Sequence, residues 1–398
     1  MIRPYADLLT SVSAALVLCL VHFQVNVGCV PKKVMWNAAF VKDVVDHAGE
    51  YGHNFDMGTY SFDWGRLKKS RDGYVQRLNG IYANNLKNSG VTLLRGFARF
   101  EASGKVVVEG DDGGATTLSA DHILIATGGA PIIPADVPGA QEFGIDSDGF
   151  FELEALPKKV AVVGAGYIAV ELAGMLNQLG SECELFVRNQ GVLRTFDADI
   201  AEFLNKELVR DGIELVTNSC VPHCQQSSRI CWQPDFCDDD DRSITKVEKE
   251  ADGTLTLSVY IDGAETNRTG YDKLIYAIGR SPAVSGLGLA EIGVKQDFSG
   301  HILVNEYQET GVAGIYALGD VCGIQELTPV RAVRNSFASV ATLSGVDAVI
   351  ATVGRWRLQR DEGCLTGCLE DLSTQRRRSN TRRCRRLFSP ILLSALLD

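Results

Sequence analysis

The chain has 398 residues, 45% of them apolar and 22% charged, with 39 Lys and Arg against 50 Asp and Glu for a net charge of −11. The length predicts two or three domains, and the apolar share excludes wholesale disorder. The acidic balance argues against a general nucleic-acid binder. Eleven scattered cysteines argue against a small disulfide scaffold and for a reducing compartment, with any chemistry in one or two special thiols.

Leu8 to Val21 is a 14-residue stretch dominated by apolar residues. It is short of the roughly 20 residues that a spanning helix needs. As a secretory signal it lacks all but one positive residue, Arg3, on its flank, and Val25 to Cys29 shows no small-residue cleavage pattern. It reads as an apolar leader or a wrongly assigned start.

Val25-Asn-Val-Gly-Cys-Val-Pro-Lys-Lys33 comes next, and apolar residues then recur at helical spacing from Val34 through Ala38, Val41 and Val45. A thiol at a helix start beside two lysines is placed for acidification, because the helix N-terminus and the cations both favour thiolate. A buried structural cysteine is the alternative.

Lys159-Val-Ala-Val-Val163 reads as a buried parallel strand, Val170 to Leu179 as a helix closed by Gly180, and Glu182 to Val187 as a second strand. Gly164, Gly166 and Ala169 form a G-x-G-x-x-A between the first strand and the helix. In a dinucleotide-binding turn the first glycine permits the tight bend. The second lets the backbone approach a pyrophosphate, and the third small residue keeps helix and strand close. A site selective for NADH wants a carboxylate at the end of the second strand. This chain has Arg188 there and Arg194 six residues on, two guanidinium groups suited to the 2′-phosphate of NADPH.

Two segments stand apart. Cys220, Cys224, Cys231 and Cys237, with His223 and Asp238 to Asp241, have spacings that fit no paired zinc ribbon and read as an insertion loop, so no metal is expected. Between Arg355 and Arg386 lie ten arginines and no lysine, without helical or strand period. With no aromatics interleaved to stack bases, a solvated tail is the plainer reading than a nucleic-acid or acidic-lipid arm.

The segment Val25 to Asn37 resembles the redox-active segment of the glutathione reductase family of flavoprotein disulfide reductases. In order along the chain, Tyr74 to Asn79, Ile81 to Leu86, Ile123 to Gly129, Ser147 to Phe151, the G-x-G-x-x-A unit, Tyr276 to Arg280, Gly314 to Cys322 and Leu327 to Val330 resemble it too. The resemblance covers Val25 to about Val330 apart from the cysteine-rich insertion. It implies an α/β fold of two Rossmann-like, doubly wound nucleotide-binding units. A discontinuous FAD unit spans 25–150 and 282–345, an NADPH unit spans 151–281, and 1–24 and 346–398 lie outside both. It implies electron flow from NADPH through FAD to glutathione disulfide, in redox homeostasis. In those terms Cys29 is the flavin-proximal thiol, and Lys33 lies beside the flavin and pairs with Glu171. Tyr167 gates the flavin. Thr127, Gly128, Asp320 and Thr328 hold FAD, Arg280 contacts NADPH, and Tyr82 shapes the glutathione pocket.

Four departures stand against that pattern. Gln24 replaces the first cysteine of the redox pair, so Cys29 has no disulfide partner there. Residues 1–24 hold no glycine, where the family has its FAD-binding glycine motif. The last histidine is His301, where the family has a later His-Glu pair in a dimerisation domain that acts as general acid, and Ser336 takes the place of a substrate-binding arginine. The clustering of these changes at the ends is that of a truncated or misassembled coding sequence, or of a splice form. The expectation is therefore a glutathione-disulfide reductase by family, with a non-catalytic NADPH-binding remnant as the alternative and a basic-tailed nucleic-acid binder as the weakest reading. The family homodimer is doubtful here, no membrane partner is expected, and the cytoplasm is favoured over mitochondria.

Overall fold

The computed structural model describes residues 22–324, apart from 55–57, 89–92, 95, 111–112, 121, 220–243 and 262. The apolar leader, the cysteine-rich insertion, the arginine-rich tail, Thr328 and Ser336 lie outside the described residues. The described chain opens with a helical turn, His22–Val27, and the helices α1, Cys29–His47, and α2, Trp64–Asn88. A three-stranded antiparallel sheet follows, from β1, Phe97–Phe100, β2, Val106–Glu109, and β3, Ala115–Leu118, and then the short strands β4, Ile123–Ile125, and β5, Gly129–Pro131. One turn of helix, α3, Ala140–Phe143, leads into β6, Gly144–Asp146.

The central βαβ forms as the apolar pattern predicts. β7, Lys159–Val163, runs into α4, Tyr167–Leu179, and then into β8, Glu182–Phe186. Helix α5, Ala198–Arg210, β9, Glu214–Val216, the antiparallel meander β10, Ile244–Lys249, β11, Leu255–Ile261, and β12, Ala264–Tyr271, and the strand β13, Lys273–Tyr276, complete this unit. Its five-stranded sheet has the order β6-β13-β7-β8-β9, parallel throughout. Strand β7 shows why a near-unbroken apolar run is needed. Val160 and Val162 point into a core shared with α1 and α4, while Ala161 and Val163 point into one shared with the meander. A strand buried on both faces has no polar side to alternate. Helix α4 buries Ala169, Val170, Leu172, Ala173, Met175, Leu176 and Leu179, the apolar stripe of a core-facing helix. Each of the larger side chains contributes about 1.5–3 kcal/mol on burial.

Two strand pairs tie the stretch after residue 279 back to the one before 132. β14, Arg280–Pro282, lies antiparallel to β5, and β15, Ile315–Ala317, lies parallel to β4. Helix α1 packs on α4 through Met35 and Ala39. Arg71 of α2 is buried with them and donates to the carbonyl of Phe151 at 2.6 Å.

The meander is fastened to the parallel sheet by a buried carboxylate. Glu184 has a side chain only 2% exposed and meets Lys159 Nζ at 2.9 Å, Tyr271 Oη at 2.6 Å and Arg268 Nη1 at 3.3 Å. Burial, and then its bond to Glu184, push the Tyr271 phenol far above its ordinary value. The folded chain therefore keeps that proton at a pH where the unfolded chain, ionising near 10, has released it. The stabilisation is complete below about pH 10 and is lost as pH rises further. Urea melts of the Tyr271→Phe variant are expected to show a shallower alkaline fall than the parent; equal slopes would contradict this.

Candidate active site

The sheet order reverses at β7, where β13 lies on one side and β8 on the other, and a crevice opens beyond the carboxyl ends of such strands. Here it is a cleft of about 710 Å³ whose lining includes Gly164, Gly166, Tyr167, Arg188, Arg194 and Arg280. Gly164 stands at φ +143°, and a Cβ there would lie 2.2 Å from the carbonyl oxygen of Ala277 and 3.2 Å from the Ala169 methyl. Its bareness serves the packing of β7, β13 and α4. Gly166 differs, with φ −82° and nothing within 4 Å of where a Cβ would sit. No protein atom needs a glycine at 166, and the space a side chain would fill is the cleft itself. Ala169 is fully buried and lets α4 sit close to the strand. The first amide groups of α4 are therefore delivered to the cleft beside open backbone, an arrangement that suits a pyrophosphate.

Beyond β8 the chain continues as Val187 and Arg188, with no carboxylate at that strand end, and Arg194 closes the loop. Both guanidinium-bearing residues line the cleft, as the phosphate reading requires. Arg280 also lines it, but its guanidinium is anchored elsewhere. It donates to the Gly129 carbonyl at 2.7 Å and lies 3.4 Å from Asp148 Oδ1 and from Ser147 Oγ. Burial raises the Asp148 carboxyl above its ordinary value, with Arg280 opposing. The structure thus adds to Arg280 a role in joining β14 to the turn that precedes residue 149.

Cys29 is the first residue of α1, after Gly28, and is partly exposed. The lysine against Glu171 is Lys32, whose Nζ lies 3.2 Å from Glu171 Oε1, with both side chains nearly buried, 13% and 11% exposed. The sequence reading expects Lys33 beside Glu171; its neighbour Lys32 makes this ion pair, and Lys33 is the more exposed of the two. The reason is helical phase, since a step of one residue rotates a side chain by about 100°. Tyr167, 37% exposed at the mouth of the cleft, and Glu171 are four residues apart and share a face of α4. The gate candidate and the ion pair are therefore neighbours. Removing one member of such a part-buried pair leaves the other charge poorly solvated and is destabilising. A double-mutant cycle with Lys32→Met and Glu171→Gln is expected to give a coupling of about 1–3 kcal/mol in urea melts, and additive losses would contradict the pairing.

The other described thiols are poor nucleophiles. Burial pushes Cys183 far above its ordinary value and Cys322 up to about 12. Thiolate is the reactive species. Iodoacetamide at neutral pH is therefore expected to label Cys29 while sparing Cys183 and Cys322, with peptide mass spectrometry as the measurement. Faster labelling at Cys183 would overturn this.

A second cluster forms where β4 and β15 end together, with Ile125 opposite Ala317. Thr127 and Gly128 follow β4, and Asp320 follows β15, so residues nearly 200 apart in sequence meet at the carboxyl end of one parallel pair. Thr127 Oγ1 is buried with no hydrogen-bond partner among the described residues, and Asp320 is buried too. Gly128 stands at φ +72° with open space where a Cβ would be. An orphaned hydroxyl, a bare backbone and a carboxylate at a strand-end crevice fit a polyhydroxylated ligand such as the ribityl and phosphate portion of a flavin nucleotide. Tyr82 lies half-buried on α2. Three residues before it, Asn79 Nδ2 donates to Asn26 Oδ1 at 2.7 Å, which ties that helix to the segment leading to Cys29. Among the described residues no helix is long and apolar enough to cross a membrane.

The fold and cleft define a Rossmann-like, dinucleotide-binding α/β protein with a thiol at the start of a packed helix. A family profile described as pyridine nucleotide-disulphide oxidoreductase matches residues 14–342, and the chain belongs to that family. It is 46% identical over 312 residues to a glutathione reductase of Yarrowia lipolytica, an alignment covering 77% of this chain and 61% of that protein. It is 45% identical over 308 residues to a glutathione reductase of Schizosaccharomyces pombe, covering 77% and 60%. The chain spans about three fifths of the length of these curated relatives.

Proposed function

We propose that the chain is an NADPH- and FAD-dependent disulfide reductase whose substrate is glutathione disulfide, working in the cytoplasm. The observation that carries this reading is the single cleft onto which Gly166, the α4 N-terminus, Arg188 and Arg194 open. Backbone amides suit the pyrophosphate, and two guanidiniums suit a 2′-phosphate. The names of both relatives support the substrate. Thr127, Gly128 and Asp320 are the residues that would hold FAD. Bound together, the two cofactors supply hydride transfer from nicotinamide to flavin and an electron pair for a disulfide.

The chain's own residues orient that chemistry. Lys32, held by Glu171, is a cation one turn along α1 from Cys29, where charge on sulfur forms. Tyr167, at the mouth of the cleft, covers it and excludes water until the nucleotide enters. Cys29 is the thiol that a disulfide meets, and Tyr82 borders the place where glutathione docks.

A second reading, a non-catalytic NADPH-binding protein, is favoured by Gln24, which stands where the family has the first cysteine of its redox pair. One preparation separates the two. Purified full chain that is yellow with bound flavin and consumes glutathione disulfide with NADPH supports the first. NADPH uptake without colour or turnover supports the second, and uptake of no nucleotide overturns both.

A further inference from the structure

Asn205 lies on α5, outside the glycine turn and outside the arginine pair, yet it holds the loop that carries both arginines. Its Oδ1 accepts from the backbone N–H of Val192 at 3.1 Å. On the other side of the same amide, Gly191 is pressed so closely that a Cβ there would lie 2.2 Å from Asn205 Nδ2. The next residue, Leu193, stands at φ +54°, a left-handed conformation that a leucine adopts only when its surroundings impose it. Its N–H donates to the Ala165 carbonyl at 2.8 Å, inside the glycine turn. The loop from Arg188 to Arg194 is thus clamped twice, to the glycine turn through Leu193 and to α5 through Asn205. Helix α5 is itself fixed at its start, where Asp197 caps the amides of Asp199 and Ile200.

We infer that Asn205 is a positioning residue for coenzyme choice: it sets the loop so that Arg188 and Arg194 converge on one 2′-phosphate. The inference rests on the NADPH reading above. Asn205 acts through the loop and does not itself touch the phosphate. The clamp matters because a bidentate guanidinium contact is directional, so a small shift of the loop loses most of its advantage. A coenzyme without the 2′-phosphate makes no use of the arginines and is indifferent to the shift.

The test is calorimetric titration of NADPH, NADH and adenosine 2′,5′-bisphosphate into the full chain and its Asn205→Ala variant. The expected result is a rise of about tenfold in the dissociation constants of NADPH and the bisphosphate, with NADH changed less than about twofold. Gly191→Ala disturbs the same contact from the loop side and is expected to reproduce this selective loss, with unfolding midpoints recorded for both variants. Equal weakening of NADPH and NADH would reduce Asn205 to a general structural role and overturn the inference, as would no change in either. An Arg188→Met, Arg194→Met control that loses NADPH while Asn205→Ala keeps it would overturn only the role of Asn205. A parent chain that binds NADPH no better than NADH would overturn the coenzyme reading and this inference with it.

Discussion

Replacing Arg188 and Arg194 together with methionine is expected to raise the NADPH dissociation constant about 100-fold or more, with NADH moved by less than about threefold. Each charge-assisted hydrogen bond to a phosphate contributes about 1.5–3 kcal/mol, and about 1.4 kcal/mol is tenfold in affinity. Two such contacts therefore amount to about two to four decades. The selectivity follows from where the residues stand. Arg188 follows the end of β8 and Arg194 ends the same loop, both on the cleft, and neither a carboxylate nor the glycine turn is altered by the substitution. NADH, lacking the 2′-phosphate, keeps its contacts with the α4 amides. Calorimetry on the two coenzymes is the measurement. Parallel losses would mean that the guanidiniums hold the shared pyrophosphate or the sheet itself, and the preference for NADPH would have to be abandoned.

The second large effect separates two glycines that a motif treats alike. Gly164→Val is expected to abolish cooperative folding or lower stability by several kcal/mol, on the order of the cost of core overpacking added to backbone strain. A Cβ at 164 meets the Ala277 backbone at 2.2 Å, and φ +143° is a region closed to valine. Gly166→Val is expected to leave the unfolding midpoint nearly unchanged, because a Cβ there has nothing within 4 Å and the backbone is already extended. Nucleotide binding is expected to vanish all the same, since the isopropyl group occupies the space where a pyrophosphate must approach amide groups. Thermal melts alongside NADPH titration distinguish the two. A Gly166→Val chain that binds NADPH normally would remove the cleft from consideration as the pyrophosphate site.

The elements that were legible were those whose neighbours lie close in sequence. β7 betrayed itself because both its faces are buried, and α4 because its apolar residues recur at the helical period. The start of α4 was less visible. Tyr167 is exposed on the cleft and Ile168 is only partly buried against the core, so the fully buried stripe begins at Ala169. β6 carried no signal, since Gly144-Ile-Asp146 is too short for a pattern and becomes a strand only by pairing with β13, 130 residues later. That Lys32 pairs with Glu171 is not legible in the sequence, because two adjacent lysines are equivalent to composition and differ only in helical phase.

What the residues alone determined was the chemistry available: a glycine turn that can admit phosphate, two arginines in place of an acidic residue, a thiol at a helix start, and glutamine where a second thiol is expected. These are local, since each depends on side-chain type and on the few φ and ψ angles around it. What only the tertiary structure decided was which of these groups meet. It made Gly164 a packing residue and left Gly166 open to the cleft, put Thr127 and Asp320 after the ends of one parallel strand pair, set Lys32 against Glu171, and set Asn205 behind the arginine loop. Each of those contacts is a close approach between segments 13 or more residues apart, fixed by the packing of helices on a twisted parallel sheet. The angle at which a side chain leaves that packing is not written in any window of the sequence.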